Sequence, residues 1–348
     1  MKKWTIILTI FVLVAIYGLF LLGWFGREKP QEPPAQLSET KPTTAAPTAA
    51  PTTAVPTTTV VPTTTAAPTT QPTEAPTQPA LIPPDVSELT AETVFVYDYT
   101  AGRLLFTMGD QKAPVAPASL TKLLTAVVAL EYLDPGAVVQ AGVEATWIAE
   151  GSSVAAVNPG NRLTVEMLIE GLLLQSGNDA AYVLAVAAGR EMAGNPDLGP
   201  EGALERFMEE MNATARELGM TGTMFLNPDG FDREGHVTTA EDLLLLSCRA
   251  LQENLILKKT GKYRDHVVYE SGEDYVWLNT NLLVNPNSSY YCPDAFGLKT
   301  GSTTDAGYCL VSAFQHDSRI LIVGVLGCPE HEDRFGDVLY LYDHFISQ

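Results

Sequence analysis

Ser119-Leu-Thr-Lys122 sets a hydroxyl and an amine three residues apart, which on a helix puts both on one face within side-chain reach. A serine is a poor nucleophile until a base takes its proton, and a lysine can do so only when neutral. Burial and a second positive charge both lower a lysine pKa. Two later clusters bring complementary groups: Ser176-Gly-Asn178, and Lys299-Thr-Gly301 followed by Ser302. Taken in this order, the three clusters supply a nucleophile, a base, a proton relay and an anion clamp. These are the parts needed to acylate a serine with a peptide-like carbonyl.

Each cluster has a competing match or a plainer meaning. Ser38-Glu-Thr-Lys41 repeats the first pattern inside a Pro/Thr tract that cannot position a side chain. Ser176-Gly-Asn-Asp179 on its own is equally a turn and helix N-cap signal. Lys259-Thr-Gly261 repeats the third pattern in a run of cations (Lys258, Lys262, Arg264) with no apolar strand directly after it, and so reads as a solvated turn.

The elements that must position these groups are legible in outline. Residues 93–99 and 104–108 are rich in β-branched and aromatic side chains around the turn Thr100-Ala-Gly-Arg103, which predicts a hairpin. Residues 119–133 are almost entirely apolar or small, the pattern of a buried helix. Helices are expected over 161–174 and 180–192, flanking the Ser176 loop, and over 207–218. Thr238 and Glu241 fit a capping box before Leu243–Leu246. Strands are expected over 306–314 and 320–326, then a helix over 334–346. Strands at both chain ends with helices between predict an α/β sandwich with one antiparallel sheet flanked by helices.

Composition sorts the rest of the chain. Trp4 to Phe25 carries no charge and is long enough to span a bilayer. Lys2 and Lys3 ahead of it favour an internal N-terminus, and the segment lacks a small-residue cleavage site, so residues 1–29 are expected to form a cytoplasmic tip and an uncleaved transmembrane anchor. Residues 30–84 are dominated by Pro, Thr and Ala and lack the large apolar side chains that offset ordering entropy. They are expected to form a disordered stalk reaching roughly 170 Å if fully extended. Residues 85–348 remain for a catalytic domain on the extracellular side. Residues 1–85 hold five basic and five acidic side chains, so the whole net charge of −20 falls on that domain. A domain this acidic is repelled by nucleic acid. The four cysteines (Cys248, Cys292, Cys309, Cys328) form no C-x-x-C pair and are expected as buried free thiols. The five histidines show no metal-ligand spacing, so no metal and no cofactor is expected.

From about Leu89 onward the chain resembles the penicillin-interacting serine enzymes, most closely the low-molecular-mass D-alanyl-D-alanine carboxypeptidases. The resemblance rests on Pro117-Ala-Ser-Leu-Thr-Lys122, Ser176-Gly-Asn178, Asn279-Thr-Asn-Leu-Leu283, Gly297-Leu-Lys-Thr-Gly-Ser302 and Ala306-Gly-Tyr-Cys-Leu310. It implies a β-lactamase/transpeptidase-like fold and an acyl-enzyme on Ser119 with Lys122 as base. It further implies that Ser176 relays a proton and Asn178 holds the substrate's peptide group. Lys299 and Thr300 would hold its terminal carboxylate, and the N–H groups of Ser119 and Ser302 would form an oxyanion hole, with Gly301 allowing the close approach. The substrate implied is a peptidoglycan stem peptide ending in D-Ala-D-Ala, with β-lactams as covalent inhibitors.

The alternatives are a penicillin-binding sensor or wall-binding module without fast turnover, an endopeptidase, and a class A β-lactamase. The last needs a loop Glu four residues before an Asn. Asn212 lies near the expected distance past Ser176, but Met208 occupies the position four before it. Many such carboxypeptidases carry a C-terminal β-rich domain ending in a membrane helix. Here Gln348 follows soon after the catalytic part, so anchoring is expected at the N-terminus.

Overall fold

The computed structural model describes residues 81–348. The proposed anchor and most of the stalk lie outside them, and no described helix is long and apolar enough to cross a membrane. The elements, in chain order, are β1 (Thr93–Asp98), β2 (Arg103–Met108), α1 (Lys122–Tyr132), β3 (Val138–Gln140), β4 (Arg162–Thr164), α2 (Val165–Leu173), α3 (Asn178–Met192) and α4 (Pro200–Glu217). There follow α5 (Ala240–Ala250), α6 (Asn254–Thr260), β5 (Arg264–Val268), β6 (Asp274–Leu278), β7 (Ala295–Thr303), β8 (Gly307–His316), β9 (Arg319–Cys328) and α7 (Asp333–Ile346).

The main sheet runs β2-β1-β9-β8-β7, antiparallel throughout. The pairing of β1 with β9 closes the first strand onto the last, as the expected sandwich requires. Side-chain alternation splits the core in two. Val94, Val96, Leu310, Phe314, Leu321, Val323 and Val325 face α7, with Phe335, Val338, Leu341 and Phe345 packed on them. Phe95, Val311, Ala313 and Ile322 face the larger helical layer, at whose centre α1 buries Leu123, Leu124, Val127 and Val128. In the sheet, Phe95 lies opposite Gly324, where its ring occupies the space a Cβ would take.

Several boundaries differ from the sequence expectation, each for a local reason. Residues 118–121 form a 3₁₀ turn, and the α-helix starts only at Lys122. Residues 162–164 pair with β3 before α2 begins. The helix α4 starts two turns earlier than its amphipathic stretch, at Pro200, a residue whose fixed φ suits a helix start. The cap of α5 is Thr239, whose side chain accepts from Asp242 N–H, so the capping box at Thr238 is corrected by one residue. The largest miss is β7. The third motif was expected to precede a strand, but Lys299, Thr300 and Gly301 lie inside one. Two glycines and a lysine in nine residues hide its β character. All four cysteines are free, with Cys248 half-buried and the others buried.

Candidate active site

The first motif enters α1 through a strained turn. Ala118 has φ +47°, a left-handed conformation that non-glycine residues rarely adopt. The turn leaves Ser119 half-buried, while Lys122 in the first turn of α1 is fully buried. Lys122 Nζ donates to Ser119 Oγ at 2.8 Å and to the Asp229 carbonyl at 2.5 Å. No ion pair engages Lys122 among the described residues. Burial lowers its pKa to about 8, against the opposing pull of Asp229 and Asp179. The geometry therefore offers a hydroxyl already bonded to an amine that sheds its proton within reach of physiological pH.

That value carries a sign. If Lys122 must be neutral to take the Ser119 proton, only the deprotonated fraction reacts. The acylation rate should then rise about tenfold per pH unit below about 8 and level off above it. Stopped-flow trapping by a chromogenic acylating reagent between pH 6 and 9.5 measures this; a flat profile would remove Lys122 as the base.

The loop that presents Asp229 is fastened to α1 at three points. Besides Lys122, Thr125 Oγ1 donates to the Pro228 carbonyl at 2.6 Å, and Thr121 Oγ1 meets His236 Nε2 at 3.1 Å. His236 Nδ1 accepts from Leu226 N–H at 2.9 Å, which fixes the proton on Nε2 and aims it at Thr121. At Gly230, with φ +84°, a Cβ would run into the Ala118 carbonyl, so only glycine lets this loop approach the nucleophile turn. Burial pushes the His236 pKa down to about 4. The unfolded chain therefore takes up a proton near pH 6.5 that the folded one refuses. This contribution is complete above about pH 6.5 and is lost as pH falls toward 4, to the extent of about 3 kcal/mol. Denaturant titrations should show the stability gap between wild type and His236→Asn shrinking over that window; a constant gap would refute this account.

The second motif sits at the start of α3. Ser176 has φ +57°, and both Ser176 and Asn178 are buried. Asn178 Nδ2 donates to Ser152 Oγ at 2.9 Å. Ser176 Oγ makes no hydrogen bond to Ser119 or Lys122 among the described residues. Asp179, unremarked in the sequence beyond its turn-and-cap value, accepts from the N–H groups of Ala155, Val157 and Ala180 at 2.8–3.1 Å. It thereby straps residues 155–157 against the motif. Burial nevertheless raises its pKa.

The third motif lies on β7, the open edge of the main sheet. A Cβ placed on Gly301 would lie 3.3 Å from Ser119 N and 3.1 Å from Ala118 Cβ, so the strand passes directly beside the nucleophile turn. Lys299 and Thr300 are buried and Ser302 is exposed. Lys299 Nζ donates to the Thr300 carbonyl at 3.0 Å, and Thr300 Oγ1 pairs with Thr280 Oγ1 at 2.6 Å. Asn279 bonds the carbonyls of Thr260 and Lys262, and its Oδ1 accepts from Asn281 N–H, which fastens this wall of the cleft.

Arg334, which no sequence signal marked, reaches from α7 to the rear of the same strand. It donates to the Gly301 carbonyl at 3.1 Å and lies over the rings of Tyr308 and Phe335. Burial lowers its pKa to about 10, and burial together with Lys122 and Arg334 holds Lys299 well below the usual lysine range. None of the three cations has an ion-pair partner among the described residues. In a chain of net charge −20, the buried basic side chains Lys299 and Arg334 on β7 and behind it, with no ion-pair partner among the described residues, form a local field suited to an anion beside Ser119.

The competing Lys259-Thr-Gly261 is not the solvated turn expected. Lys259 is buried at the end of α6, with Nζ 2.5 Å from Glu170 and 2.9 Å from Glu166. The cation run is amphipathic: Lys258 faces water while Lys259 and Lys262 converge on Glu170, a carboxyl whose pKa burial raises. The other rival pattern fails by placement. Asn212 lies within α4, bonded to the carbonyls of Met208 and Phe225, and its side chain is committed there.

Residues 76–330 match the family described as D-alanyl-D-alanine carboxypeptidase. The Bacillus subtilis (strain 168) D-alanyl-D-alanine carboxypeptidase DacF is 29% identical over 261 residues, 74% of this chain and 62% of that protein. The chain spans about three fifths of the length of that relative and of its Escherichia coli counterparts. Among solved structures, the Streptomyces K15 DD-transpeptidase superposes with a TM-score of 0.67 at 26% identity, over 75% of this chain and 98% of that one. Penicillin-binding protein D2 from Listeria monocytogenes, in its ampicillin-bound form, gives 0.60 at 28% identity over 74% and 98%. With the serine–lysine pair, the Ser-Gly-Asn loop and the Lys-Thr-Gly strand gathered on this fold, the chain belongs to the D-alanyl-D-alanine carboxypeptidase family.

Proposed function

We propose that this protein is a serine-type D-Ala-D-Ala carboxypeptidase that removes the terminal D-alanine from peptidoglycan stem peptides. The observation carrying this reading is the 2.8 Å contact of Ser119 Oγ with a fully buried lysine that forms no ion pair. Neutral Lys122 takes the Ser119 proton as Oγ attacks the carbonyl carbon of the penultimate D-alanine. The oxyanion is met by the N–H groups of Ser119 and Ser302. The C–N bond then breaks, and the amine of the departing D-alanine takes a proton relayed from Lys122 through Ser176. Water, deprotonated by the same base, attacks the ester and releases the shortened peptide and free Ser119. Lys299 and Thr300 hold the leaving residue's carboxylate, Gly301 admits the peptide to the strand edge, and Asn178 bonds its amide. A β-lactam opens on the same serine and stays as a stable ester.

The domain plan extends the proposal. Trp4–Phe25 would anchor the chain in the membrane, residues 30–84 would act as a stalk, and residues 85–348 would work on the cell-wall side. Support comes from the uncharged span and the Pro/Thr tract. The test is D-alanine release from a peptide ending in D-Ala-D-Ala, followed by enzymatic detection of the free amino acid. Stoichiometric labelling by a fluorescent penicillin without release would point to a sensor instead.

A further inference from the structure

Thr280 ties the second motif to the third. It follows the end of β6 by two residues, and its N–H donates at 3.1 Å to the carbonyl of Leu174, two residues before Ser176. Its hydroxyl meets that of Thr300, on β7, at 2.6 Å. The residues on either side serve the backbone instead. Asn279 and Asn281 are buried, and their carboxamide oxygens accept from the N–H groups of Asn281 and Leu283 at 2.9 and 3.1 Å. Thr280 is half-buried, and its hydroxyl bonds Thr300 alone among the described residues.

Hydrogen-bond counting gives this contact a direction. A threonine hydroxyl has one proton to give and two lone pairs to receive. Thr300 Oγ1 is buried, with Thr280 Oγ1 at 2.6 Å and Lys299 Nζ at 3.5 Å; the closer acceptor for that Nζ is the Thr300 carbonyl, at 3.0 Å. Were Thr300 to give its proton to Thr280, it would turn lone pairs toward an arriving carboxylate, which repels them. With Thr280 as the donor, Thr300 keeps its proton for the anion, and a hydrogen bond to a charged acceptor is the stronger kind. The half-buried Thr280 can then satisfy its own lone pairs with water, an option the buried Thr300 lacks.

We propose that Thr280 is a positioning residue for the anion clamp: its hydroxyl donates to Thr300 and so aims the Thr300 proton at the terminal carboxylate of the substrate. The inference rests on the carboxypeptidase reading, in which Thr300 holds that carboxylate. Thr280 acts through Thr300 and does not itself touch the peptide. The bond from its N–H to Leu174 fixes the donor before substrate arrives, so none of the binding energy is spent on recruiting it.

The experiment is a double-mutant cycle on the full-length protein, read as kcat/KM for D-alanine release from Nα,Nε-diacetyl-L-Lys-D-Ala-D-Ala. Thr280→Val keeps the shape and removes the donor, and should lower kcat/KM about tenfold. Thr280→Ser restores the hydroxyl and should return the rate to within about twofold of wild type. In a Thr300→Val background, Thr280→Val should cost nothing further, because the group it acts through is gone. Thr280→Ala is the second donor-free variant and should show the same loss and the same dependence on Thr300. Thermal midpoints of all variants identify any that fail to fold. A rate within twofold of wild type in both donor-free variants would overturn the assignment. So would a loss that multiplies with Thr300→Val, or one that Thr280→Ser does not rescue. Any of these with wild-type release intact leaves the carboxypeptidase reading standing, whereas no release from wild type would overturn both.

Discussion

Ser119→Ala is expected to lower D-alanine release by about 10,000-fold or more, and Lys122→Ala should cost nearly as much. The two atoms are already bonded at 2.8 Å, so they act as one unit: without the amine the hydroxyl keeps its proton, and without the hydroxyl the amine has nothing to activate. The double variant should therefore be little worse than either single one. A loss near 10,000-fold corresponds to about 5.5 kcal/mol of transition-state stabilisation. Ser119→Ala is close to isosteric at a half-buried site, so its thermal midpoint should stay near wild type. Lys122→Ala leaves the Asp229 carbonyl without its donor, and a small stability loss should accompany it. Release kinetics on the three variants decide the matter. Losses that multiply in the double variant would mean that serine and lysine act in separate steps.

The second large effect separates two identical tripeptides. Lys299→Ala should lower kcat/KM for a D-Ala-D-Ala peptide about 100- to 1,000-fold, because it removes a buried, unpaired cation at the place proposed for the substrate carboxylate. The folded protein should tolerate it, since taking away a desolvated charge with no counter-ion relieves burial and the repulsion from Lys122 and Arg334. Lys259→Ala should do the reverse. It strips a partner from Glu170, which is itself buried, and breaking a buried pair costs about 3–5 kcal/mol; Lys262, still on Glu170, should hold the loss toward the lower end. Per folded molecule its kcat/KM should stay within about threefold of wild type. Thermal melts and initial rates on both variants test this together. A lost rate at Lys259 with an unchanged melting point would mean that the two tripeptides had been assigned the wrong way round.

That pair of lysines marks where reading the chain one stretch at a time fails. The cations around Lys259 suggested a solvated turn, yet periodicity on a one-sided helix turns Lys258 outward and Lys259 inward onto Glu170. Glu170 lies on α2, some ninety residues earlier, and nothing local to either residue records the other. Strand β7 was missed for a similar reason. Its residues have poor β-propensity, and pairing with β8 supplies the strand character that composition lacks.

What the sequence determined by itself is short in range. Ser119 and Lys122 meet because three residues of helical backbone bring them together, and the apolar run behind them ensures that the lysine is buried. The β1–β2 hairpin and the β8 and β9 strands were equally plain, since short continuous runs of apolar, largely β-branched and aromatic residues bounded by turn residues favour buried strands. Family-like order among the motifs pointed to one site. Tertiary structure decided the rest: that Gly301 passes against the nucleophile turn, that Arg334 backs the strand from α7, and that the Asp229 carbonyl holds Lys122. It also decided that Asp179 straps the Ser176 loop in place. Most of these contacts join residues distant in the chain, and even the short-range strap at Asp179 depends on how a loop folds back. Their energies depend on burial and on which charges share a cavity, and both are properties of the packed molecule.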